Sequence, residues 1–157
     1  MEPKIVEKPA MTLVGMVYFG DPTSGEFAKT WDRFMKLNVN IPERINQTEW
    51  LGLEFYTEDF WQNHKWFYMA CGETKNLDDI PMSLVGKRIP ACKYAVFTVK
   101  GGLKKLGEGF RYAYDTWLPT SGYEIAHPFD YEFYQDGRFK GDEEDSEIDI
   151  YIPIKLK

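Results

Sequence analysis

The run Asp130-Tyr131-Glu132-Phe133-Tyr134 sets a carboxylate inside an aromatic segment, between the turn formers Ala126-His127-Pro128 and Gln135-Asp136-Gly137. Aromatic side chains suit a pleated, half-buried surface, so the run reads as a strand. Asp130, Glu132 and Tyr134 then share one face, with Tyr131 and Phe133 on the other. Burying a lone carboxylate in an apolar site costs on the order of several kcal/mol or more. Glu132 is therefore exposed, paired with a Lys or Arg, or kept to meet a cation. A delocalised organic cation is weakly hydrated and loses little on entering an apolar pocket. A desolvated carboxylate offsets that loss, and each aromatic face adds about 0.5–2 kcal/mol by cation–π contact. Such a site selects charge and bulk rather than a hydrogen-bond pattern. The same carboxylate could instead act as a general base on water beside an electrophile, with Tyr134 as a donor, although no His, Cys or Ser nucleophile motif accompanies it.

Glu54-Phe55-Tyr56 repeats Glu132-Phe133-Tyr134 letter for letter, 78 residues earlier. Glu54 is either a second pocket acid or a solvated strand residue. Tyr56, Trp66 and Tyr68 alternate onto faces that can line the same cleft, while Trp31 and Tyr114 lie on helical stripes that also serve a core. His64 and His127 are the only histidines, and Cys71 and Cys92 lack CxxC spacing, so neither a zinc site nor another cofactor is expected. The thiols read as buried and reduced, which suits a cytoplasmic protein.

The elements that must carry these residues follow from periodicity. The chain has 157 residues, enough for one core, and a net charge of −6 without a Lys/Arg cluster, which argues against direct nucleic-acid contact. Aromatic residues make up 17%, more than core packing alone requires. Neither a signal peptide nor a membrane-spanning run is visible. A strand over 4–20 breaks at Lys8-Pro9-Ala10. Phe27, Trp31, Phe34 and Met35 then recur at helical spacing from Glu26. The range 38–47 reads as a loop, 50–57 and 66–71 as strands, and 82–88 as a short strand.

The pattern then restarts. Ile89-Pro90-Ala91 answers Lys8-Pro9-Ala10 at an offset of 81 residues, and the stripe Phe110, Tyr114, Trp117 answers Phe27, Trp31, Phe34 at 83. The second helix spans 103–117, with Leu103, Leu106, Phe110, Ala113, Tyr114 and Trp117 on its apolar face, and Leu118-Pro119 ends it. The acidic run 141–146 is a solvated loop. The range 147–157 is a last strand with Ile148, Ile150, Ile152 and Ile154 on one face, and Pro153 is placed at an edge or strand end. The expected fold is an α+β domain spanning 1–157. It duplicates a strand-helix-strand-strand unit over about 1–80 and 81–157, with two main helices on one side of an antiparallel sheet, pseudo-twofold symmetry and a central ligand cleft.

The duplicated pattern, the Pro-Ala at the start of each half, the Asp-Tyr-Glu-Phe-Tyr strand and the terminal Glu-Ile-Asp-Ile-Tyr-Ile-Pro-Ile-Lys resemble the GyrI-like small-molecule-binding domain. This is the effector-binding module of AraC- and MerR-type multidrug regulators, also found as a stand-alone protein and on mobile integron cassettes. The resemblance implies an aromatic pocket for lipophilic cations with a buried glutamate, matching Glu132, as counter-charge and Tyr134 beside it. The ligand-binding set expected is Glu132, Tyr134, Tyr56, Trp66, Tyr68, Tyr114 and Glu54. A separate DNA-binding or regulatory protein is an expected partner, because the chain begins directly with the module's first strand. The family also implies two alternatives, a hydrolase of reactive electrophiles and a gyrase-inhibitor-like protein-binding factor.

Overall fold

The structure, a computed structural model, describes residues 1–38 and 41–157. In chain order its main elements are β1 (Lys4–Lys8), β2 (Met11–Gly20), α1 (Glu26–Leu37), β3 (Glu49–Phe55), α2 (Phe60–Asn63), β4 (Trp66–Thr74), β5 (Val85–Ile89), β6 (Cys92–Lys100), α3 (Leu103–Arg111), a π-helical segment (Tyr112–Trp117), α4 (Leu118–Thr120), β7 (Tyr123–Ile125), β8 (Phe129–Gln135) and β9 (Glu147–Leu156). The class is α+β, and the seven strand pairings described within the two halves are all antiparallel. Contacts divide the chain into two compact units, Ala10–Pro90 and Met1–Pro9 with Ala91–Lys157. Both cuts fall at the repeated Pro-Ala dipeptides.

Within the unit 10–90 the strands lie in the order β5-β2-β4-β3, and within the other unit in the order β1-β6-β9-β8. The two orders are the same once β2 is matched to β6, β4 to β9 and β3 to β8. β5 therefore stands beside β2 as β1 stands beside β6, although in sequence β1 precedes β2 and β5 precedes β6. The leading strand of each repeat is exchanged. Both Glu-Phe-Tyr triplets fall at the same station, at the end of β3 and within β8.

In the unit 10–90, Asp21 stops β2 by accepting the Thr23 N–H at 2.7 Å, and Gly25 opens α1 at φ 80°. Phe34 is fully buried against Val14, Ala70, Ile41 and Leu84. Met35, expected on the same stripe, is 46% exposed, because the next position around a helix leaves the narrow arc that meets the sheet. The predicted loop 38–47 includes Val39 and Asn40, which lie outside the described residues. β4 does not stop at Gly72 but runs to Thr74. Gly72 is there because the Arg44 guanidinium lies against its backbone, and a Cβ would stand 2.3 Å from Arg44 Cζ. Strand β5 starts at Val85 rather than Met82, which is exposed.

In the other unit the four isoleucines of β9 are buried, three of them in one core with Ala95, Phe97, Val99 and Ala113. Leu103, expected on the apolar face, is 47% exposed in the first turn of α3. The helix also continues past Leu118-Pro119 to Thr120. Its hydrogen bonds widen first: the Leu118 N–H reaches back five residues to Ala113 O. Pro153 is not at an edge, since it pairs with Tyr94 on one side and accepts the Ala126 N–H at 2.9 Å on the other. A strand residue's N–H and C=O point to the same side, so its missing donor falls where β9 changes partner from β8 to β7. Ser146, assigned to a solvated loop, is fully buried and its Oγ accepts the Lys140 N–H at 2.9 Å. Beside it Arg138 bridges Glu147 and Asp149, and this guanidinium, followed by Lys100, holds the Glu147 carboxyl below the usual range.

Two glycines of α3 test the packing of the helix on its sheet. A Cβ at Gly109 would lie 2.4 Å from Val99 Cγ2 and 3.0 Å from Ile150 Cδ1, whereas one at the exposed Gly107 would meet nothing within 4 Å. Gly109→Ala should therefore destabilise by about 1–3 kcal/mol, because β-branched Val99 cannot move aside. Gly107→Ala should stabilise by about 0.5–1 kcal/mol. Urea unfolding of the two variants checks both signs.

Candidate functional site

The acidic strand β8 turns two carboxylates and a tyrosine toward the helical side of its unit. Asp130 is fully buried, Glu132 is 4% exposed and Tyr134 is 6% exposed. A carboxylate so desolvated needs charge-stabilising donors. The Tyr134 hydroxyl donates to Glu132 Oε2 at 2.5 Å, and its ring stands edge-on to Phe139, with centroids 4.9 Å apart. The Tyr114 hydroxyl donates to Asp130 Oδ2 at 2.5 Å. Tyr114 belongs to the π-helical segment, whose wider turn sets this side chain over β8. Of the predicted residues in this unit, then, Glu132 and Tyr134 meet directly, and Tyr114 meets Asp130 instead.

The opposite face of β8 is built differently. Tyr131 is fully buried and stacks on Tyr151 at 4.5 Å and 12°, and Tyr94 meets both rings edge-on. The Lys8 ammonium stands 5.2 Å from the Tyr151 centroid. Burial pushes the Tyr94 hydroxyl well above its ordinary pKa, and its hydrogen bond with the Cys92 thiol adds to the rise. This face already carries its own cation.

In the unit 10–90 the structure gathers Glu54, Tyr56, Trp66 and Tyr68. Glu54, 7% exposed, lies directly across from Tyr68 in the β3–β4 ladder. Tyr56 stands just beyond β3, and its hydroxyl reaches Glu54 Oε2 at 3.4 Å, a long counterpart of the Tyr134–Glu132 bond. Tyr68 stacks on Phe27 of α1 at 4.5 Å and 16°, and its hydroxyl accepts the Trp31 indole N–H at 2.7 Å. Trp66 is ringed by Phe27, Tyr56 and Phe60, with centroids 5.5–5.8 Å away. On the other face, Phe55 stacks on Phe67 at 4.8 Å, capped by the Lys87 ammonium at 4.2 Å. Each unit thus presents a buried acid among aromatics on its helical face and a lysine-capped aromatic plate on the other.

Sequence reasoning left out three residues of these clusters. Asp130 was visible, since it stands two residues from Glu132 on the same strand face. Phe27 belongs to the helical stripe and has no signal separating it from core. Phe60 sits in a stretch too short and polar to announce a helix, yet it forms the first turn of α2.

A family model described as integron-associated effector binding protein matches residues 4–154. The transcriptional regulator BrlR of Pseudomonas aeruginosa is 34% identical over 155 residues, which cover 98% of this chain and 56% of BrlR. The chain thus spans just over half the length of that relative. Among solved structures, SAV2435 bound to tetraphenylphosphonium superposes with a TM-score of 0.79 at 21% identity, covering 99% of this chain and 94% of that one. An integron cassette protein from Vibrio cholerae gives a TM-score of 0.69 at 14% identity, covering 99% and 97%. At these identities the two structures establish the fold alone. No helix among the described residues is long and apolar enough to cross a membrane.

The Tyr134–Glu132 bond yields a direct expectation. Tyr134→Phe keeps the ring against Phe139 but removes a donor from a buried carboxylate, and a hydrogen bond to a charged group contributes about 1.5–3 kcal/mol. Urea unfolding should show a loss of that size with an unchanged m-value, and a loss below about 0.5 kcal/mol would show that the carboxylate does not depend on this donor.

Proposed function

The chain belongs to the integron-associated effector binding protein family, and on that premise we propose that it is a binding module for bulky lipophilic cations. In this reading Glu132 supplies the counter-charge and the tyrosine and tryptophan rings supply stacking. The observation that carries the reading is the Glu132 carboxylate, 4% exposed and held by the Tyr134 hydroxyl within an aromatic strand. Such a group is costly for folding alone, and a weakly hydrated cation is the ligand it suits. Glu54, with Tyr56, Trp66 and Tyr68 around it, is the corresponding acid of the first repeat. Tyr114 acts on Asp130 and shapes the same face of β8 as Glu132.

Two neighbours support the reading. SAV2435 has been seen with tetraphenylphosphonium, a bulky lipophilic cation, and BrlR is a transcriptional regulator. By this analogy the module senses or sequesters such compounds and acts on transcription together with a DNA-binding or regulatory partner. The free thiols of Cys71 and Cys92 fit a reducing cytoplasm.

The test is a fluorescence titration with three lipophilic dyes of similar size, one cationic, one neutral and one anionic. The cationic dye should bind tightest, and Glu132→Gln should weaken it by about tenfold or more, equivalent to about 1.4 kcal/mol, while moving the neutral dye by less than about twofold. Equal affinity for the three dyes, or a cation affinity untouched by Glu132→Gln, would sink the proposal.

A further inference from the structure

The indole N–H of Trp66 is buried and has no hydrogen-bond partner among the described residues. Buried donors are nearly always paired, so each exception calls for an explanation. The contrast within the cluster is direct: the Trp31 indole, on the neighbouring helix, donates to the Tyr68 hydroxyl at 2.7 Å. Three rings stand around Trp66: Phe60 at 5.5 Å and 76°, Phe27 at 5.8 Å and 70°, and Tyr56 at 5.8 Å and 47°. The ring faces of such edge-on neighbours are weak acceptors, and they do not replace an oxygen. An acceptor brought by a ligand would remove the deficit.

We infer that Trp66 is the hydrogen-bond donor of the ligand site. Its ligands are bulky aromatic compounds that carry an oxygen acceptor, such as a carbonyl, ether or phosphoryl group, placed to meet the indole N–H. This inference deepens the proposed binding function and rests on it for the location of the ligand. Two features fit. The acid Glu54 lies on the adjoining strand directly across from Tyr68, two residues along β4 from Trp66, so charge and acceptor are read on one face. One of the rings against the indole, Phe60, belongs to a four-residue helix that ends at His64 in the left-handed region, φ 55°, and its neighbour Trp61 is 79% exposed. So short an element, with few buried contacts, can shift at low cost to let an oxygen reach the N–H. Selectivity then has two components. Charge is read by the carboxylate, and Trp66 reads a hydrogen bond, which a purely charge-and-bulk pocket would ignore.

The experiment uses three probes on the wild type and on Trp66→Phe, which keeps an aromatic ring but deletes the donor. Benzyltriphenylphosphonium is a cation without an acceptor, (4-acetylbenzyl)triphenylphosphonium is a similar cation with a ketone, and triphenylphosphine oxide is neutral with a strong acceptor. Trp66→Phe should weaken the acetylbenzyl cation and the phosphine oxide by about fivefold, the size expected for one net hydrogen bond, and change the benzyl cation by less than about twofold. In the wild type, the indole proton resonance that Trp66→Phe removes should move downfield with the two acceptor probes and not with the benzyl cation. Equal weakening of all three probes, no weakening of any, or an indole resonance indifferent to the acceptor would overturn the inference. If neither cation binds the wild type while the phosphine oxide binds in a Trp66-dependent way, the cation reading fails and the donor assignment stands.

Discussion

A carboxylate cannot be removed from water among aromatic rings unless something stabilises its charge, and the fold of this protein is arranged around that constraint at Glu132. The strand that carries it is buried on both faces. On the helical face the Tyr134 hydroxyl supplies a short charge-assisted bond, and the neighbouring acid Asp130 is served in the same way by Tyr114. Aromatic side chains provide the surroundings because their hydroxyls can meet a carboxylate while their rings pack against the core. A core of isoleucines would have protonated the group or driven it to the surface.

Duplication explains why a second acid exists. Each repeat delivers a Glu-Phe-Tyr triplet to the same station in its strand order, so Glu54 and Glu132 inherit the same relation to the helix of their own unit. The copies have since diverged. The tyrosine of the second repeat lies within its strand and closes on its glutamate at 2.5 Å, whereas that of the first stands just beyond its strand at 3.4 Å. The helix residues have parted too, since Tyr114 donates to a carboxylate and Trp31 to a phenol. On the reverse faces the repeats agree again, each holding a lysine over stacked rings. The aromatic surplus is thus divided between a face that holds buried acids and one that already has its own cations.

Much of this was legible in residue order. The helices declare themselves by the 3.6-residue stripe, the repeat by Pro-Ala and Glu-Phe-Tyr, and the alternation of β8 by period two. What was not legible depends on partners distant in sequence. Nothing near Lys4–Lys8 or Val85–Ile89 reveals that these strands pair in exchanged positions, because pairing is chosen by edges formed elsewhere. Gly72 and Pro153 read as strand breakers, yet one makes room for Arg44 and the other sits where a neighbouring strand gives way to the next. The strand β7 is three residues long and α2 four, too short for any periodicity. The partnership of Tyr114 with Asp130 arises from a local widening of the helix that composition does not signal. For the acids, sequence offered exposure, pairing or a cation, and exposures of only 4% and 7% remove the first alone.

The most direct measurement is a crystal structure of the protein grown with tetraphenylphosphonium, the cation seen with its structural neighbour. A counter-charge role for Glu132 predicts that the phosphonium lies on the face of β8 that carries Glu132 and Tyr134, with the carboxylate the nearest negative group to phosphorus. Density on the opposite face, against Tyr131 and Tyr151, or a cation held with Glu132 remote from it, would contradict that role.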